Sequence, residues 1–229
     1  MGDNVWENHI GDELQFWRGV IAQRAKEGYS PKLHKFEWLR GELGEAFAPH
    51  EPLRFIDVGA GPFGIDGVAD PVCGVEAIAA DALAEPYNRM MREAGLSAFP
   101  EVVQVKGEDL SQHFGCDSFH WVHCANALDH FDSPAVAFSE MLKICKPMGY
   151  VNIVSIENEG EREKYGGLHQ WNLRATDEGL LLDNKTGQAN LTEPHGDAIR
   201  YKWKLVDHGQ KGFNIFMATI QKVAPISSA

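Results

Sequence analysis

Apolar residues recur at helical spacing near the start of the chain, at Trp6, Ile10, Leu14, Trp17 and Ile21. Residues 6–27 are therefore predicted to form an amphipathic helix, stopped at Gly28. Ser30 and Pro31 predict the cap and first turn of a second helix, with an apolar stripe of Leu33, Phe36, Leu39, Leu43 and Phe47. The pattern then changes to short apolar runs separated by polar turns. Phe55 to Val58, Gly74 to Asp81, Pro100 to Lys106, Phe119 to Asn126 and Tyr150 to Ile156 read as five strands. Amphipathic helical stretches lie between them, clearest over residues 134–146. Residues 157–198 are polar and irregular. Leu180–Leu182 and Gln188–Leu191 are expected to pair across an Asp183 to Gly187 turn. Two alternating runs, 201–205 and 213–220, predict a closing antiparallel pair that turns over residues 209–212. Alternating strands and helices followed by a hairpin predict an α/β fold.

The first strand runs into Asp57-Val-Gly59-Ala-Gly61-Pro-Phe-Gly64. Glycines at that spacing mark a tight turn that lets a ligand approach the backbone closely. Gly59-x-Gly61-x-x-Gly64 fits a dinucleotide turn. Asp57-x-Gly59-x-Gly61 resembles the first motif of the class I S-adenosylmethionine (SAM) dependent methyltransferases. Two residues favour SAM. A carboxylate at Asp57 repels a pyrophosphate and attracts the cationic amino-acid end of SAM. Pro62 removes one N–H that a phosphate would use. Asp81 closes the second strand twenty residues after Gly61, where both cofactor classes need an acceptor for ribose hydroxyls. A second acidic turn, Glu108-Asp109-Leu110, follows the third strand. Ala125-Asn126 ends the fourth, and Lys146-Pro-Met-Gly149 precedes the fifth, as in that superfamily.

The resemblance covers residues 53–156 motif by motif and residues 198–222 by topology. It implies a Rossmann-like, seven-stranded mixed sheet with helices on both faces, an N-terminal helical extension and an inserted lid carrying a hairpin. The expected units are a helical cap (1–50), a SAM-binding core (51–156), a lid-like insertion (157–198), and a C-terminal hairpin completing the sheet, with a tail (199–229). The implied SAM contacts are Asp57, Gly59 and Gly61 at the amino-acid end, with Asp81 and Leu83 at the ribose. Glu108, Asp109 and Leu110 frame the adenine, and Asn126 stands near the methionine end. A segment ahead of the first strand that lids the pocket is also implied, with Tyr29, Lys35 and Trp38 facing ligand.

The 229 residues suit one domain, with room for a small appendage. The net charge is −12, with no basic run. That argues against a nucleic-acid footprint and favours a small-molecule acceptor. The four cysteines form no close pair, and no stretch suits a membrane span or a signal peptide. A cytoplasmic protein follows. No metal is expected: His120 and His123, on the fourth strand, point to opposite faces. The function expected is methylation of a small-molecule hydroxyl, on a sugar or secondary metabolite. A hydroxyl must lose its proton as it attacks. His130 after the fourth strand, held by Asp129, and His169 in the lid are the candidate bases, with a carboxylate such as Glu157 behind them. Two alternatives stay open: an NAD(P)-dependent oxidoreductase, and a SAM-binding regulator without catalysis.

Overall fold

In a computed structural model of the chain, residues 5–34, 36–48, 51–64, 67–69, 74–206 and 212–226 are described. Lys35, Cys73 and residues 209–211 of the final turn lie outside them. Helix α1 (Val5–Lys26) is followed by the short strand β1 (Lys32–His34) and helix α2 (Glu37–Leu43). The alternating region comprises β2 (Leu53–Val58), β3 (Gly67–Ala69), β4 (Val75–Asp81), α3 (Ala84–Glu93), β5 (Val103–Gln104), α4 (Leu110–Phe114), β6 (Phe119–Ala125), α5 (Pro134–Ile144) and β7 (Cys145–Ile156). Then come α6 (Glu159–Arg162), β8 (Asn172–Thr176), β9 (Gly179–Asp183), β10 (Gln188–Asn190), β11 (Ile199–Val206) and β12 (Ile215–Lys222).

Seven strands form one mixed sheet in the order β11-β12-β7-β6-β2-β4-β5. β5, β4, β2, β6 and β7 are parallel, and β12 runs against both of its neighbours. The expected Rossmann-like architecture is therefore present. The chain runs outward from β2 in one direction through β4 and β5, and in the other through β6 and β7. The carboxyl ends of β2 and β6 thus flank a topological switch point, where such sheets leave a crevice.

Both faces are covered. Ile56, Val122 and Ile153 are wholly buried in a core shared with α5. Burying each such side chain is worth about 1.5–3 kcal/mol. On the other face Leu39 and Leu43 of α2 pack with Leu53, Phe55 and Trp121. The predicted stripe of α1 is realised. Trp6, Ile10, Leu14, Trp17 and Ile21 pack with Leu83, Tyr87, Met90 and Phe99, around α3.

Three segments depart from the pattern reading. The second helix starts at Glu37 rather than at Ser30-Pro31, because Lys32–His34 pairs in parallel with Gly67–Ala69. That long-range partner overrides a good local cap signal. The third strand shrinks to Val103–Gln104. The Asn88 side chain bonds both the N–H and the C=O of Val102 and stands where a neighbouring strand would pair. The 157–198 region contains the expected hairpin, but β8 adds a third strand. Leu173, Ala175, Leu180, Leu182 and Leu191 enter the main core, so much of this region is packed structure.

Candidate functional site

The crevice at the switch point is a cavity of about 370 Å³. Its floor is the turn after β2. Gly59 and Gly61 hold φ of 70° and 61° there, in the left-handed region where a Cβ is strained. A Cβ on Gly59 would lie 2.4 Å from the Cβ of Ala127, and one on Gly61 would lie 3.1 Å from the Trp17 ring. Asp81, at the end of β4, fastens this floor. Its Oδ2 accepts the Gly61 N–H at 2.9 Å and its Oδ1 accepts the Leu83 N–H at 2.7 Å. Its carboxyl is pushed up to about 6, chiefly by burial, against the two N–H bonds; the charge of Glu13 adds to the rise.

One wall comes from α1. Trp6, Glu13, Phe16 and Trp17 line the cavity, and the Trp17 indole N–H donates to Glu13 Oε1 at 2.7 Å. The opposite wall is the turn after β6. Asn126 begins it in the left-handed region, at φ 49°. Asn tolerates that conformation better than most residues.

Beyond Asn126 three donor atoms converge. His169 Nδ1 lies 2.8 Å from Asp129 Oδ2 and 3.0 Å from His130 Nε2, and His130 Nε2 lies 3.4 Å from the same Asp129 oxygen. Asp129 is fully buried. Burial lowers the His130 pKa, and the positive charge of His169 adds to this against the carboxylate of Asp129. Burial also opposes charge on His169, but the hydrogen bond and the charge of Asp129 outweigh it and raise that pKa. Glu159 of α6 lines the same end. Its carboxyl is raised to about 7 by burial and by the charge of Asp129.

Residues 56–153 match the sequence model of the family described as a methyltransferase domain. No curated sequence matches the chain significantly. Among solved structures, the chain resembles the CurJ carbon methyltransferase at 15% identity and a TM-score of 0.51, covering 79% of this chain and 51% of that one. The CMeT domain of the citrinin polyketide synthase gives 14%, 0.51, 79% and 48% in the same order. A Haemonchus contortus phosphoethanolamine N-methyltransferase 2, in complex with phosphomonomethylethanolamine and S-adenosylhomocysteine, gives 15%, 0.50, 83% and 56%. At such identities the likeness is one of fold, and the chain spans about half the length of these relatives.

Over residues 56–153 the chain carries a methyltransferase domain.

SAM is accordingly the cofactor, and this decides between the two cofactor classes that the glycines alone leave open. The cleft fits it: the two glycines bring bare backbone to the floor, where a side chain would strike Ala127 or Trp17, and the Asp81 oxygens keep further lone pairs beside the two N–H bonds they accept. Of the residues expected to hold the cofactor, Gly59, Gly61, Asp81, Leu83 and Asn126 line the methyltransferase cleft. Four do not. Asp57 pairs with His123 across the β2–β6 ladder, and burial pushes its carboxyl up to about 6. Glu108 Oε1 is taken by the Ser133 N–H at the start of α5. Asp109 is exposed, and Leu110 is fully buried in the core. After β5, which ends early, Val105 and Gly107 line the cleft in place of Glu108, Asp109 and Leu110.

The expected lid residues also move. Tyr29 stacks on Phe99, and Trp38 lines a separate cavity of about 480 Å³ with Trp121 and Trp203. The cover over the cleft comes from α1, one helix earlier. Glu157 bonds Asn214, and Glu159 is the carboxylate that reaches the cleft. His169 already meets His130, with Leu168 beside it buried as an anchor. Glu13, Trp17 and Phe131 are lining residues that the motifs miss. A polar Glu13 one turn before Trp17, on an otherwise apolar stripe, is the signal that could have found the first two.

Proposed function

We propose that this methyltransferase moves a methyl group from SAM to a hydroxyl of a small, uncharged molecule, such as a sugar or secondary metabolite. The observation that carries the reading is the convergence of Asp129, His130 and His169, whose two histidines line the cleft that Asp81 floors. SAM supplies an activated methyl on a sulfonium, itself a good leaving group. Asp81 takes the ribose hydroxyls, Gly59 and Gly61 let the backbone close on the cofactor, and Asn126 stands near its methionine end. Alignment then supplies much of the acceleration. A hydroxyl, unlike an amine, also needs help in losing its proton. The cluster is where that proton leaves. The described cleft-lining residues include Glu13, Asp81 and Glu159 and no Lys or Arg, which disfavours an anionic acceptor.

The test is turnover of His130→Ala and His169→Ala against a panel of hydroxyl, amine and carboxylate acceptors, with SAM affinity measured alongside. Each variant is expected to lose about 10²-fold or more in kcat on hydroxyl acceptors and to keep SAM binding. Wild-type kcat in both variants would overturn the role given to the cluster.

A further inference from the structure

We propose that Asp129, His130 and His169 hold a divalent transition-metal ion of the Zn²⁺ class, with an open coordination position facing the acceptor end of the cleft. The proposal rests on the reading of that end as the acceptor site, and it specifies how the cluster acts there.

The three donor atoms form a triangle with edges of 2.8, 3.0 and 3.4 Å. Ligands held about 2.0–2.2 Å from one ion, in tetrahedral or octahedral directions, stand about 2.8–3.5 Å from one another. The triangle therefore already has the dimensions of one face of a coordination sphere. Two imidazoles and one carboxylate on a single face form a common transition-metal donor set that leaves positions open.

Hydrogen bonding satisfies only part of this arrangement. A single His169 Nδ1–H shared between Asp129 Oδ2 at 2.8 Å and His130 Nε2 at 3.0 Å leaves two acceptors 3.4 Å apart with no proton between them. If both nitrogens carry protons, the two N–H groups crowd each other at 3.0 Å. A cation at the centre would engage all three atoms. An independent observation points the same way. Asp129 Oδ1 and Glu159 Oε2 are both buried without a hydrogen-bond partner. Asp129 is itself fully buried, so its free oxygen has no access to bulk water. The first can widen the grip of Asp129, and Glu159 lines the same cavity as a further oxygen donor. An ion in this place would polarise an acceptor oxygen and ease loss of its proton.

The experiment titrates tag-free, chelator-stripped protein with Zn²⁺ by calorimetry and with Co²⁺ by visible absorption. One ion per chain is expected, with ligand-field bands for Co²⁺. His130→Ala and His169→Ala should each weaken binding by more than the roughly 10–100-fold that loss of an outer hydrogen-bond partner costs. Asp129→Asn, which keeps the side-chain shape, should also weaken it, and His123→Ala, off the cluster, should bind like wild type. Thermal melts confirm that each variant is folded. Absence of stoichiometric binding by the wild type, or wild-type affinity in both His→Ala variants, overturns the proposal. S-adenosylhomocysteine is titrated into the same samples. Its binding without any metal binding removes the ion alone, whereas metal binding without it removes the methyl-transfer reading alone.

Discussion

At the scale of single residues Asp81 carries the most. Its two oxygens hold the Gly61 and Leu83 amides, so one side chain fixes the glycine floor to the end of β4. Asp81→Ala removes those acceptors together with the ribose contact. Charge-assisted bonds are worth roughly 1.5–3 kcal/mol each, so S-adenosylhomocysteine affinity should fall at least tenfold and Tm should drop; calorimetry and a thermal melt check both. The carboxyl also sets a pH dependence. With Asp81 raised to about 6, chiefly by burial and also by the negative charge of Glu13, the ligand-free cleft takes up a proton as pH falls through that value. The folded chain then holds a proton that the unfolded chain releases until about 3.8. This group's contribution to ligand-free stability therefore rises as pH falls from 6 towards 4. Cofactor affinity runs the other way, because the ribose needs the ionised acceptor. It should be flat above pH 7 and weaken by up to about tenfold per unit below 6; an affinity constant from pH 8 to 5 would remove Asp81 from that role. Asp81 and the glycines were legible in the sequence because their chemistry is local and their spacing fixed. The pairing of His130 with His169 was not, since residues 39 apart meet only through the packing of Leu168 and α6.

At the scale of elements, α1 is the part most free to respond to ligand. Its contacts are concentrated on the satellite cluster around α3 rather than on the main core. Trp6 and Trp17 line the cleft, so S-adenosylhomocysteine should change the intrinsic fluorescence. Trp17→Phe should remove much of that change, and an unaltered signal in the variant would show that α1 does not report on the cleft. Limited proteolysis should also separate two halves of the 157–198 region. Residues 163–171, beside the cleft, should gain protection with ligand, whereas β8 to β10, anchored by Leu173, Leu180 and Leu182 in the main core, should resist in both states. The alternating leucines of β9 were readable as a strand. β8 was not, because Asn172-Leu-Arg-Ala-Thr176 is short and half polar and gains its identity only from pairing with β9. The same limit explains the second helix, where a capping signal at Ser30-Pro31 lost to a strand partner more than thirty residues away.

At the scale of the whole molecule, sheet order decides where chemistry can occur. Five parallel strands diverging from β2, with one reversed strand at β12, open a crevice at the carboxyl ends of β2 and β6. The seven-stranded mixed sheet was expected from the resemblance, but strand-ending acids and glycines mark carboxyl ends and not which strands are neighbours. The uneven cover of the sheet was not legible either, since no local pattern distinguishes α1 over the cleft from α2 beneath it. No helix among the described residues is long and apolar enough to cross a membrane. Ligand linkage offers a global check. S-adenosylhomocysteine at about 100 times its Kd should add about 2.7 kcal/mol of stability, or roughly 5–10 °C in Tm for a chain of this size, with no shift from NAD at the same concentration.

The most direct test of the account is a crystal structure with S-adenosylhomocysteine. The ribose is predicted on Asp81 over Gly59 and Gly61, with the sulfur directed past Asn126 towards His130 and His169. A ribose held elsewhere, or a sulfur turned away from the two histidines, would contradict it.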